Sequence, residues 1–332
     1  MSIPRLSLAN IEQAAATIHP VFRDTPQLGF DSLSGEVGAE VVLKVETLNP
    51  IRSFKGRGSD YYVSSLPDRT PLVVASAGSF GQGLAYATRS RRVPLTVFAS
   101  ENANPLKRDR MRELGAEVIL AGHDFDAAKS AAREHAERHG FRFVEDGRDA
   151  AIAEGAGTIA VELLRGPRIF DGVLIAVGNG SMINGMGTWI KAQAPAAKVI
   201  GVCAAGAPAM ERSWRKGEVE VTSTAETIAD GVAVRVPVPE AVEDSRSVVD
   251  DMLLVDDAMI LRAMRLLLHH AGILVEPSGA MGIAALLAHR ERFEGQYLAT
   301  VLCGGNISDE QFHRWFTDDE RRRQSPNHPA GS

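Results

Sequence analysis

The chain has 332 residues, 45% hydrophobic and 23% charged, with a formal net charge of −6 and two cysteines. That length exceeds one small core and suits two packed lobes. The acidic balance argues against a nucleic-acid partner, and two thiols cannot build a disulfide framework, so a reduced, cytoplasmic compartment is the simpler reading.

Residues 1–10 lack the basic stretch and apolar run of a signal peptide, and no segment approaches the ~18 apolar residues of a membrane span. Residues 50–58 read Pro-Ile-Arg-Ser-Phe-Lys-Gly-Arg-Gly. Lys55 is one of only seven lysines in a chain that otherwise uses arginine, and a lysine amine can form a Schiff base where a guanidinium cannot. A surface lysine in a loop is the competing reading. Residues 71–75 are apolar and β-branched, a buried strand. The turn that follows, Ser76-Ala77-Gly78-Ser79-Phe80-Gly81-Gln82-Gly83, leads into a helix over 80–91. It is either an ordinary strand–helix turn or a cluster of N–H groups suited to a carboxylate. A strand at 95–99, a helix at 105–114 with Pro105 in its first turn and Gly115 at its stop, a strand at 117–120 and a helix at 124–139 come next.

The alternation resumes with a strand at 172–177, a helix at 182–194 and a strand at 198–203. Between the first two lies Gly178-Asn179-Gly180-Ser181-Met182-Ile183, small residues opening a helix, where N–H groups and the helix dipole suit a phosphate. A dinucleotide fingerprint fails here: the third glycine would fall on Ile183, and the next strand ends at Cys203 rather than at an acidic residue. The acidic residues Glu240, Glu243, Asp244, Asp250 and Asp251 read as a solvated stretch before a strand at 253–255. Helices follow at 256–270 and 278–290. A last strand at 296–302 runs into Cys303-Gly304-Gly305-Asn306, and strand ends are where open α/β sheets place ligands; a small buried core thiol at 303 is the alternative. Residues 318–332, charged and then rich in Pro, Gly and Ser, read as a flexible tail. Five histidines, at 123, 135, 139, 269 and 270, show no paired metal-ligand spacing. Strands and helices alternating at this size imply parallel sheets with helices on their faces, an α/β fold of two doubly wound lobes.

These motifs, in this order, resemble the fold-type II pyridoxal-5′-phosphate (PLP) enzymes, and within them the serine/threonine dehydratase–serine racemase group, over roughly residues 6–315. The group's lysine loop S-F-K-x-R-G stands at 53–58. Its substrate loop S-[SA]-G-N-H-x-Q-G is partly present at 76–83, and its phosphate loop G-G-G-G-L is loosely matched at 178–182. Further matches lie at 227–231, 276–280 and 304–306. The resemblance implies a tryptophan synthase β-like architecture: a large PLP-binding domain of residues 1–51 and 147–317, and a small domain of residues 52–146. It implies that Lys55 carries PLP as a Schiff base and, once freed, removes the substrate's α-proton. Cofactor contacts would come from Phe54, Lys55, Ser79, Gly178, Asn179, Gly180, Ser181, Met182, Gly231, Glu276, Cys303 and Gly304. Ser76, Ala77, Gly78, Ser79 and Phe80 would hold the substrate. The implied enzyme is a homodimeric ammonia-lyase that turns L-threonine, L-serine or a related β-hydroxy amino acid into a 2-oxo acid and ammonia, its only partner being that small substrate.

Departures from the pattern refine this expectation. Ser79 and Phe80 replace the group's Asn-His, which makes the substrate pocket more apolar and opens it to bulkier hydroxy-amino acids. Ala77 stands where the racemases have an acidic serine, which argues against racemisation. Cys203 and Ala209 stand where metal-stimulated relatives carry carboxylates, so no metal is expected there. There is no length for a C-terminal regulatory domain. The rival readings are β-replacement on the same cofactor, racemisation, and a PLP-binding protein with little catalysis.

Overall fold

The computed structural model describes residues 4–103 and 105–317; the expected tail at 318–332 lies outside the described residues. In chain order the elements are α1 (Leu8–Thr17), β1 (Gln27–Gly29), α2 (Asp31–Val37), β2 (Glu40–Val45) and α3 (Lys55–Ser64). Then come β3 (Leu72–Ala75), α4 (Ser79–Arg91), β4 (Leu95–Ala99), α5 (Pro105–Glu113), β5 (Glu117–Leu120), α6 (Phe125–His139) and β6 (Arg142–Val144). The second half holds α7 (Ala150–Leu163), β7 (Gly172–Ala176), α8 (Ser181–Gln193), β8 (Lys198–Ala204) and α9 (Ala209–Lys216). Beyond these lie α10 (Pro239–Val248), β9 (Asp251–Val255), α11 (Asp257–Leu266), α12 (Pro277–Ala288) and β10 (Tyr297–Leu302). Side-chain caps start several of these helices: Ser7 accepts from Asn10 N, Asp124 from Ala127 N and Asp256 from Met259 N, each relieving an orphan first-turn donor.

The strands form two sheets, in the orders β1-β2-β10-β7-β8-β9 and β5-β4-β3-β6. Every pairing is parallel except β1 on β2 at the edge of the larger sheet. β3, β4 and β7 are buried at every position, as strands covered by helices on both faces must be. The α/β class and its two doubly wound sheets agree with the sequence reading. In the smaller sheet the chain winds outward from β3 through β4 to β5, then returns to add β6 on the other side of β3. In the larger sheet it winds from β7 through β8 to β9, with β10 on the opposite side of β7. Such reversals leave a crevice at the carboxyl ends of the strands involved. The turns after β3, β6, β7 and β10 meet in one cleft.

The elements differ from the expectations in three places. The lysine loop read at 53–58 gives way to helix at the lysine itself, where α3 begins. The helix expected over 256–270 is α11 continued by a π-helical turn, Leu267–Ala271. The acidic residues from 240 to 251 are all at least partly exposed, but they lie on or just beyond a helix, α10, where Asp244 pairs with Arg5, Glu240 with Arg148 and Asp250 with Lys191. Among the described residues no helix is long and apolar enough to cross a membrane.

Candidate active site

The cleft between the two sheets encloses about 720 Å³. Lys55 enters it from the first turn of α3, and the preceding loop is fixed by its own side chains. Asn49 donates to Glu46 O (2.8 Å) and Ser53 O (3.1 Å) and accepts from Ile51 N (3.1 Å) and Ser53 N (3.3 Å). Arg52 takes a left-handed φ of 51°, and Phe54 N then reaches Cys303 O at 3.0 Å. The lysine is thereby docked against the end of β10. Its Nζ lies 4.7 Å from the Phe54 ring centre and 5.7 Å from that of Phe80, and 2.6 Å from Asp146 Oδ2.

Two turns face it. After β7, Gly180 adopts φ 88° and α8 begins at Ser181, so the N–H groups of the first turn point into the cleft without helical partners. A Cβ at Gly178 would lie 2.9 Å from Gly231 O, which explains why a glycine is needed where this turn abuts the segment after residue 227. After β3, the Ser76 hydroxyl accepts from Gly78 N (3.3 Å) and Gly81 N (2.9 Å). Ser76 thus shapes the turn that presents Ala77, Gly78, Ser79 and Phe80 to the cleft. Ser79 Oγ is engaged by Asn306 Nδ2 at 3.0 Å.

Opposite α8, Glu276 and Cys303 are both buried. Glu276 accepts from Asn306 N at 3.0 Å. Burial pushes its carboxyl up to about 7; Lys107 opposes the shift and Asp230 adds to it. The Cys303 thiol is raised well above its ordinary range, first by burial and then by the neighbouring Glu276. Beside them the Ser278 hydroxyl is buried without a hydrogen-bond partner. Of the site residues expected from sequence, all line the cleft except Gly304, whose Cα packs behind Glu276. Cys203 is buried in the core of the larger lobe, where burial lifts its thiol to about 12. Among the described residues no group of three or more His, Cys, Asp and Glu side chains is gathered as a metal would need.

Sequence reasoning passed over several cleft residues. Asp146 follows β6, a strand of three residues, too short to register as a periodic segment. Lys107 on α5 pairs with Asp230, and Arg235 pairs with Asp126 on α6; both pairs join the smaller sheet's helices to the segment between α9 and α10. Only the strand-end rule applied to β6 would have pointed to Asp146.

The Glu276 geometry carries a stability prediction. Its proton is held in the native state between the unfolded value of 4.5 and about 7. The contribution is therefore fully present below pH 4.5 and lost as pH rises to about 7, by about 3 kcal/mol in all. In cofactor-free Glu276→Gln, thermal melting should fall less between about pH 5 and about pH 8 than in the wild type. Equal falls in the two proteins would show that Glu276 does not bind that proton.

Comparison with known proteins follows the same lines. The profile of the family described as pyridoxal-phosphate dependent enzyme matches residues 18–304. An L-threonine ammonia-lyase from Thermotoga maritima is 35% identical over 313 residues, covering 93% of this chain and 78% of that protein. A catabolic L-threonine dehydratase from Staphylococcus aureus is 32% identical, covering 91% of this chain and 89% of its own length. The structure of the processed form of threonine deaminase isoform 2 from Solanum lycopersicum superposes with a TM-score of 0.85 at 29% identity, over 93% of this chain and 88% of that one.

Proposed function

Because this chain belongs to the pyridoxal-phosphate dependent enzyme family, we propose that it is an ammonia-lyase converting L-threonine, L-serine or a related β-hydroxy amino acid to a 2-oxo acid and ammonia. It is a threonine ammonia-lyase-like enzyme by its relatives. The observation that carries the substrate reading is the placement of one amine, Lys55, between an anion-binding helix start at Ser181 and the turn at Ser76–Phe80.

The residues present fit the cofactor. The Ser278 hydroxyl is buried and unpartnered, the Glu276 carboxyl is buried beside it, and α8 opens with free donors. When bound, PLP supplies an aldehyde that captures amines and a conjugated ring that takes up electron density from the substrate's α-carbon. The N–H groups of Gly178, Asn179, Gly180, Ser181 and Met182 would hold its phosphate, and the Phe54 ring would pack against the bound group. Cys303, a neutral thiol, Glu276 and Gly231 would contact the bound group, with Gly304 backing Glu276. The turn at Ser76–Phe80 holds the substrate carboxylate with backbone donors, and Phe80 gives the side-chain pocket an apolar wall. Lys55 takes the α-proton onto Nζ. Ala77 has no proton to return to the opposite face, which favours elimination over racemisation.

The proposal includes a small lobe of residues 52–146 and a large lobe of residues 1–51 and 147–317, which the two sheets support. It extends to a homodimer in a reducing, cytoplasmic compartment, which two free, buried thiols suit.

Proton NMR of the PLP-loaded protein with β-hydroxy amino acids in deuterated water tests the reading. L-threonine is expected to give a 2-oxo acid. Loss of the α-proton signal without oxo acid, or appearance of the other enantiomer, would overturn it.

A further inference from the structure

The mechanism above leaves one buried carboxylate unused. Asp146 Oδ2 lies 2.6 Å from Lys55 Nζ, and the two side chains are 10% and 16% exposed. Among the described residues it is the only carboxylate within 4.0 Å of that nitrogen. Glu276 and Cys303 also feel the charge of Lys55, and neither forms an ion pair with it; Lys107–Asp230, Lys129–Glu145 and Arg235–Asp126, which line the same cleft, pair with one another.

Asp146 is held where it is by backbone that has little freedom to move. Gly147 has φ +90°, and a Cβ there would stand 2.6 Å from Asn179 O, so the turn after β6 is pressed against the turn before α8. Gly147 N donates to Ser181 Oγ at 3.0 Å, and the Ser181 hydroxyl donates to Asp146 Oδ1 at 2.5 Å. One carboxylate oxygen is thus committed to the helix start, and the other is left for the lysine. The Phe54 and Phe80 rings flank the lysine at 4.7 and 5.7 Å, and the low exposure of the pair strengthens it.

We propose that Asp146 is the positioning residue of the Lys55 amine: it aims Nζ into the cleft and supplies the counter-charge whenever that nitrogen is positively charged. The inference rests on the reading of Lys55 given above. In the proton-transfer step the substrate's Cα–H bond breaks and its electron pair stays with the substrate. The proton forms a new N–H bond on Nζ, and the resulting ammonium is met by a carboxylate already in place. Asp146 itself neither gains nor loses a proton. A neutral residue at 146 would leave the ammonium uncompensated in a partly buried site, which is costly.

The test uses PLP-loaded wild type, Asp146→Asn and Asp146→Glu. Asp146→Asn keeps a hydrogen-bonding group for Ser181 and removes only the charge. It is expected to lower kcat by about 10- to 100-fold with KM within about 3-fold, and to raise the isotope effect with α-deuterated substrate. At neutral pH its cofactor absorption should shift from the long-wavelength band of the protonated form toward the short-wavelength band. Asp146→Glu, which preserves the charge, should keep the wild-type band ratio, and it serves if the asparagine variant does not fold. A wild-type band ratio and isotope effect in Asp146→Asn, with loss only of stability or cofactor affinity, would make Asp146 a mere brace of the α8 turn and overturn the proposal. So would a band ratio in Asp146→Glu shifted away from that of the wild type. If borohydride fixes no cofactor on Lys55 in the wild type, the reading of Lys55 falls first, and the proposal with it.

Discussion

Replacing Lys55 with alanine should reduce turnover of L-threonine by at least about 1,000-fold, because in the role proposed for it this one residue supplies both the covalent anchor and the base. The fold should survive. Lys55 is the first residue of α3, and its amine contributes one ion pair rather than part of the apolar core. The variant should still bind PLP through the helix start at Ser181, with an absorption spectrum like that of the cofactor in solution or with an added amine. The opposite charge left at Asp146 favours small cationic amines in the vacated space, so partial rescue by added primary amines is expected. Activity within tenfold of the wild type would show that another group moves the proton.

The second large effect concerns stability and lies two residues along the same helix. Arg57 is fully buried and donates to Glu46 at 2.7 and 2.8 Å and to Glu162 at 2.7 and 2.9 Å. Lys44 Nζ adds a bond to Glu162 at 2.6 Å and another to Thr25 O at 2.8 Å. Two cations and two carboxylates therefore make a neutral buried cluster. Burial by itself would raise the Glu162 carboxyl, but hydrogen bonds and charge from Arg57, then Lys44, hold it at about 2. Lys44 moves the other way: burial lowers it, and with the added repulsion of Arg57 this outweighs the pull of Glu162 and Glu46. Glu162→Gln leaves one positive charge uncompensated and should destabilise the protein by about 3–5 kcal/mol, measurable by urea denaturation. In the wild type the carboxylate contributes fully above pH 4.5 and loses its contribution as pH falls toward about 2. A loss below about 1 kcal/mol in the variant would mean that water or a side-chain shift replaces the missing charge. Because the cluster anchors α3, the same variant should also bind cofactor more weakly.

The parts of the site legible in the sequence were those written locally. Glycine-rich turns at strand ends announce themselves within a few residues, as at 76–81 and 178–181, and the lysine at 55 stood out because the chain uses lysine sparingly. The helix that carries it did not. Gly56 and Gly58 weigh against a helix by propensity, yet tertiary packing demands them: a Cβ at Gly58 would stand 2.4 Å from Ile152 O on α7, and one at Gly56 would stand 2.2 Å from the Phe22 ring. The same close approach governs α7 against α8, where a Cβ at Gly157 would stand 2.8 Å from Gly185 O. Small residues that look like helix breakers are here the condition for two helices to touch. The ion pairs of the cleft were illegible for a different reason. Lys107 and Asp230 lie 123 residues apart, and Lys55 and Asp146 lie 91 apart, and no short-range pattern records such a partnership.

Where the chain passes between the sheets has a mechanical consequence. It leaves the larger sheet after β2 and enters the smaller through α3, then leaves the smaller after β6 and returns through α7. Lys55 sits at the outgoing passage and Asp146 at the return. A swing of one sheet against the other pivots about its connecting strands of chain, and points on a pivot travel least. Phe125 and the Lys107–Asp230 and Arg235–Asp126 pairs belong to α5, α6 and the segment between α9 and α10, outside both passages. Any swing of one sheet against the other would therefore change the Lys55–Asp146 separation least and displace these bridging pairs most, much as the blades of scissors sweep while the rivet stays still.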